Sequence, residues 1–203
     1  MSNIKAFIGT TIAKMFRKEV FLLFEKRVFD VNFDATDDST NGSDIVYRVV
    51  NRNEFDKFSD NLKKYGYSSG QADFFVAAII NEELVHWEFV SCNDEISVME
   101  LERSFHIPSH SAYVYAGYTV PNYRGRGIAV KVLEKACNYL KERKIQEAYA
   151  LIRDNNLAIK RVLQKLGARD IGRITFIKLF GKKFYHFKCE TNDDRQRMIQ
   201  MFS

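Results

Sequence analysis

The chain has 203 residues, 46% of them hydrophobic and 28% charged, which is enough apolar content for one substantial core and far from disordered composition. Its net charge of +5 comes from 31 Lys and Arg interleaved with 26 Asp and Glu, a balance that suits anionic small ligands and lacks the massed basic runs of a nucleic-acid binder. Three widely spaced cysteines make neither a disulfide framework nor a paired metal site, and no signal peptide or membrane-length apolar run is present, so a cytoplasmic location is expected.

Residues 4–16 place Ile4, Phe7, Ile8, Ile12, Met15 and Phe16 at helical spacing, which predicts a short amphipathic helix. Lys5, Lys14, Arg17 and Lys18 lie near its polar side. Residues 4–18 therefore fit three uses: packing on the main domain, pairing with a second copy as a homodimer, or peripheral contact with anionic lipid at the inner membrane surface. EVFLLFEKRVFDV, beginning at Glu19, is dense in Phe, Val and Leu without helical period and reads as one or two strands. Asp34–Asp44 is acidic, small and Gly/Ser-containing, a linker or loop. The expected organisation is an N-terminal helix and strand extension at 1–33, a linker at 34–44, a main domain at 45–188, and a C-terminal tail or short helix at 189–203.

Within the main domain, IVYRVVN predicts a strand and EFDKFSDNLKKYG a helix stopped by Gly66. ADFFVAAII and ELVHWEFVS form a hairpin around Asn81 and Glu82. VMELERSF extends the sheet, and SAYVYAGYTV is a strand in which Gly117 marks a bulge or a close approach by a ligand. A helix runs from Gly127 to about Arg143, then the strand EAYALI, then a helix capped by Asp154 or Asn155 and ended by Gly167. IGRITFIKLF and KKFYHFKC make a final hairpin around Gly181.

The stretch VPNYRGRGIA, Val120–Ala129, carries the clearest chemistry. The first amides of a helix lack internal partners, and the helix dipole places partial positive charge there. Gly125 and Gly127 remove side chains that would hold a ligand away, and Arg124 and Arg126 add positive charge, so the turn suits a diphosphate. It has neither the Gly-Lys-Ser/Thr ending of a P-loop nor the third glycine of a dinucleotide fold.

The R-x-x-G-x-A loop of Arg124, Gly127 and Ala129, with the flanking strand and helix and then DNNLAIKRVLQKLGA, resembles the GNAT acyltransferase superfamily. Asn156 matches the second signature, Asn155 lies one residue out of register, and Ala168 replaces the usual aromatic. The resemblance implies an α/β (α+β) fold whose mixed sheet, flanked by helices, splays between its fourth and fifth strands. Acetyl-CoA or another acyl-CoA would lie in the split as co-substrate, with no metal. Tyr118, Thr119 and Val120 would hold the pantetheine arm, Arg124, Gly125, Arg126, Gly127, Ile128 and Ala129 the pyrophosphate, and Asn156 would join them. The acceptor that the resemblance implies is a small-molecule amine, with amino acids, polyamines and a protein N-terminus also open. A more diffuse likeness, to GNAT proteins of bacterial surface-polysaccharide clusters, suggests an amino sugar.

Many members of that family place a Tyr on the Asn-led helix to protonate the leaving thiolate. Leu163 stands there in this chain, or Val162 in the other register. Tyr118, sharing strand parity with Val114 and Val120, is then a candidate donor. His86 and Glu88 lie on one face of their strand, where either accepts a proton directly or through water, or both face solvent. Of the two, Glu88 is the candidate base. Pro108 between His106 and His110 argues against a helical metal pair, and Cys137 falls on a buried helix face as an inert thiol. Two other readings are a non-catalytic acyl-CoA-binding module and a transferase using a long-chain acyl donor or acyl carrier protein.

Overall fold

The computed structural model describes residues 16–28 and 45–203. Its strands are β1 (Phe16–Arg27), β2 (Val46–Asn51), β3 (Phe74–Ile80), β4 (Glu83–Ser91), β5 (Glu95–Val98), β6 (Arg103–His106), β7 (Ser111–Thr119), β8 (Glu147–Arg153), β9 (Arg169–Leu179) and β10 (Lys182–Lys188). Among the described residues four α-helices accompany them: α1 (Ser59–Lys64), α2 (Ile128–Glu142), α3 (Leu157–Lys165) and α4 (Asn192–Phe202). Eight strands form one mixed sheet in the order β10-β9-β1-β8-β7-β4-β3-β2, and β5 pairs with β6 in a separate ribbon. VMELERSF therefore contributes to that ribbon and does not extend the main sheet.

Apolar residues on both faces of the strands make the sheet the middle layer. Phe74, Val76, Ala78, Ala112 and Ala148 pack with Ile128, Val132, Ala136 and Leu140 of α2. On the other face Phe75, Trp87 and Phe89 meet Phe55, Phe58 and Leu62. The helix expected at EFDKFSDNLKKYG begins as a 3-10 segment over Arg52–Phe58 and becomes α-helical at Ser59. Asn81 and Glu82 both take left-handed angles, φ 48° and 67°, as a two-residue hairpin turn requires.

Residues 4–15 and 34–44, which carry most of the amphipathic stripe and the acidic linker, lie outside the described residues. Phe16, Arg17 and Lys18, read with that stripe, are strand residues of β1. The described part of the apolar run at 19–31 belongs to one strand, and that strand is central: β1 pairs antiparallel with β8 on one side and with β9 on the other. Residues 16–27 are thus part of the main sheet and not an appendage to it. The C-terminal segment likewise docks, with Met198, Met201 and Phe202 of α4 buried beside Ile174 and Phe176 of β9.

Counting from residue 46, the fourth and fifth strands of the main sheet are β7 and β8. They run parallel and pair only over Ser111–Tyr113 against Glu147–Tyr149. Beyond Tyr113 and Tyr149 the two strands part, which leaves an open wedge between them.

Candidate active site

Beside the wedge, β7 leaves its regular course. Trp87 faces Tyr118 and Phe89 faces Tyr115, so Ala116 and Gly117 together oppose Glu88. That is a β-bulge, and Ala116 takes the left-handed angle, φ 52°. The bulge reverses the parity expected for the strand. Tyr118 is on the same side as Tyr115, packed at a tilt in an aromatic layer with Trp87 (5.1 Å between centroids), Tyr65 (5.2 Å) and Tyr67 (5.5 Å). Val114 instead packs toward α3 with Leu22 and Leu163.

Gly117 is glycine for a specific reason: a Cβ built there would collide with both carboxylate oxygens of Glu88. The close approach expected at this position is made by the protein's own carboxylate. Ala116 and Gly117 are exposed while Glu88 behind them is 4% exposed. His86 is buried too, since helix α2 and the aromatic layer cover β4 on both faces, and the solvent-facing alternative fails for both residues. The His86 Nδ1 is hydrogen-bonded to the Thr119 hydroxyl at 2.7 Å. His86 Nε2 and Glu88 Oε1 lie 3.5 Å apart, beyond good hydrogen-bond distance, and neither has a partner among the described residues. Nearby, burial raises the Tyr67 phenol above its ordinary range, and the Tyr118 hydroxyl and Glu88 carboxylate raise it further. Glu88, Tyr67 and Tyr118 therefore share one neighbourhood at the bulge.

Along the chain from Thr119, Pro121–Tyr123 makes a 3-10 turn that leads into Arg124. Gly125 (φ 77°) and Gly127 (φ 74°) both need left-handed backbone, and nothing lies within 4 Å of a Cβ built on either. Gly127 caps α2, and among the described residues no side chain binds the first amides of that helix. The result is an exposed helix start with open space before it. Its arginines are partly engaged: Arg124 Nε donates to the Thr119 carbonyl (3.1 Å) and its guanidinium lies over the Tyr118 ring, while Arg126 lies over Tyr123. Such cation–π seats hold both charges at the turn.

The structure brings Tyr118, Thr119, Val120 and the 124–129 turn into one continuous stretch along the wedge. Asn156, just beyond the end of β8, caps α3 by accepting from the Ile159 amide at 3.4 Å. Asp154 and Asn155, the expected caps, do not fill that place. His106 ends β6 and His110 sits at φ 60° before β7. Burial pushes the Cys137 thiol up to about 11. Sequence reasoning missed Tyr65 and Tyr67, which pack against Trp87 and Tyr118. Their signal was only a YGY segment after a helix, with nothing to say where it returns.

Residues 46–168 match the family model described as Acetyltransferase (GNAT) family. No curated protein matches the chain. Solved structures share the fold at low identity. One described as an acetyltransferase of the GNAT family from Novosphingobium aromaticivorans is 17% identical, with a TM-score of 0.53 over 86% of this chain and 66% of that one. A GCN5-related glucosamine N-acetyltransferase region of a fungal multi-domain β-N-acetylglucosaminidase is 13% identical, with a TM-score of 0.58 over 90% of this chain and 23% of that one. A GCN5-related N-acetyltransferase from Sphaerobacter thermophilus is 10% identical, with a TM-score of 0.51 over 91% and 56%. The chain spans two thirds or less of the length of each of these proteins.

Proposed function

Since the chain belongs to the acetyltransferase (GNAT) family, we propose that it transfers an acyl group from acetyl-CoA or another acyl-CoA to the primary amine of a small molecule, by direct attack in a ternary complex. The observation that carries this reading is the open, two-glycine turn at the start of α2, lying at the mouth of the wedge between β7 and β8. The exposed amides and the two seated arginines suit a pyrophosphate. From there an extended pantetheine arm runs along Val120, Thr119 and Tyr118 toward the bulge, bringing the thioester beside Ala116 and Gly117.

In the transfer, the neutral amine attacks the thioester carbonyl carbon, the tetrahedral intermediate collapses, and the carbon–sulfur bond breaks to release CoA as thiolate. The amine nitrogen loses its proton to Glu88, directly or through water. His86, tied to the Thr119 hydroxyl through Nδ1, sets its Nε2 edge 3.5 Å from the Glu88 carboxylate, and the tautomer with its hydrogen on Nε2 would steady that charge. The leaving thiolate needs little acid help, because a thiol of pKa about 8.5 is already a fair leaving group. Leu163 therefore does not argue against turnover, and Tyr118 or solvent returns the proton. The acceptor we favour is the amine of an amino sugar, free or nucleotide-linked.

The test is calorimetric titration with acetyl-CoA, repeated on Gly127→Glu, followed by thiol release against a panel of amines that includes UDP- and dTDP-amino sugars. The expected result is wild-type binding, its loss in the variant, and amine-dependent thiol release. Binding without release by any amine would favour an acyl-CoA-binding module. No binding would overturn the proposal.

A further inference from the structure

On the α2 and α3 side of the sheet the structure contains a narrow, partly open cavity. Val114 of β7 and Ala150 of β8 stand in its wall, together with Ala136 and Cys137 of α2, Leu163 of α3 and Leu166 after it. Val114 and Ala150 are the first residues beyond the last paired couple, Tyr113 and Tyr149. The cavity thus begins where the wedge closes. Ala136, Ala148, Ala150 and Ala168, all small, keep it open. Glu25 and Lys26 of β1 also line it, and the Glu25 carboxylate is bound by Tyr149, Arg169 and Arg197. The Cys137 thiol stays protonated through the neutral range.

We infer that this cavity is an acyl pocket, so that the donor is a thioester whose straight apolar chain is longer than acetyl. The inference rests on the proposed acyl-CoA reading of the turn and specifies its substrate class. An arm laid against β7 from the 124–129 turn advances about 3.3 Å per residue of strand, which carries its thioester past Tyr118 to the bulge, two residues from Val114. A chain continuing in the same direction enters the cavity. An apolar occupant fits best, since leucines, alanines, Val114 and Phe24 make up most of the wall and Lys26 and Tyr149 are its main polar members besides Glu25 and Cys137. It must also be slender, because α2 and α3 confine it from above.

The experiment is titration of the full chain with acetyl-, butyryl- and hexanoyl-CoA, on the wild type and on Ala136→Leu, which narrows the cavity. Affinity is expected to rise roughly fourfold for each methylene buried, giving at least a tenfold gain from acetyl to hexanoyl in the wild type. Ala136→Leu should erase that gain while binding acetyl-CoA as before, and Leu163→Ala should shift the preference to octanoyl-CoA. Thermal melts confirm that each variant is folded. Equal affinity across chain lengths in the wild type overturns the pocket and leaves the acyl-CoA reading standing. A gain that survives Ala136→Leu also overturns it. Failure of every thioester, acetyl-CoA included, removes both.

Discussion

At Glu88 a buried carboxylate is pressed against the backbone of an exposed glycine, and the two residues explain each other. Removing the glycine should force the carboxylate out of its place. Gly117→Ala is expected to destabilise the fold by about 1–3 kcal/mol, the usual cost of overpacking. Combined with Glu88→Ala, the loss should be smaller than the sum of the two single losses, as denaturant titration of the four proteins would show. For catalysis, Glu88→Gln keeps the shape and removes the base. We expect kcat to fall about a hundredfold or more with KM little changed; kcat unchanged across pH would take Glu88 out of the mechanism. At Cys137, burial holds the thiol protonated, its pKa pushed up to about 11. Alkylation at pH 8 should therefore leave Cys137 unlabelled in the native protein and label it once unfolded, as peptide mass mapping would record.

The elements that frame the site divide by how local their causes are. The turn at 124–129 could be placed from the sequence because Gly125 and Gly127 adopt angles that other residues resist, and α2 follows from its own apolar spacing. The bulge in β7 could not be placed the same way. Gly117 suggested it, yet the left-handed residue is Ala116, held by pairing with β4 and by the Glu88 carboxylate. Helix α4 shows a similar dependence. Thr191 caps it, and Arg169 of β9 binds both oxygens of Asp194 at 2.8 and 2.9 Å. Burial alone would raise the Asp194 carboxyl, but the Thr191 hydroxyl and the Arg169 guanidinium outweigh it and hold it below the usual range. A depressed folded pKa means that the contribution is present above the unfolded value, about 3.9, and is lost as pH falls through the folded one. Asp194→Asn should therefore cost roughly 1–3 kcal/mol at pH 7, and its gap from the wild type should close below about pH 4, as urea titrations at a series of pH values would measure.

At the scale of the molecule, β1 is the keystone of the sheet. Phe21, Leu22, Leu23 and Phe24 are each 2% exposed or less, and burying each such side chain stabilises by about 1.5–3 kcal/mol. Their sum is comparable with the whole stability of an ordinary domain, about 5–15 kcal/mol. Without β1, strands β9 and β10 would have no connection to β8. A chain starting at residue 45 is expected to be insoluble or to lack cooperative unfolding; a truncated protein that melts like the full chain would show that β1 is dispensable.

By itself the sequence determined what depends on neighbours along the chain: the hairpin turn at Asn81–Glu82, the glycine turn and its open helix start, and the apolar faces of α2 and α3. Those follow from backbone sterics and short-range periodicity, which act within a few residues. Only the tertiary structure decided that β1 lies between β8 and β9, that β5 and β6 leave the main sheet, and that His86 and Glu88 are buried behind the bulge. It alone brought Tyr65 and Tyr67 beside Tyr118. Those outcomes depend on which surfaces far apart in sequence bury one another, and alternation along a strand says which residues share a face without saying what covers it.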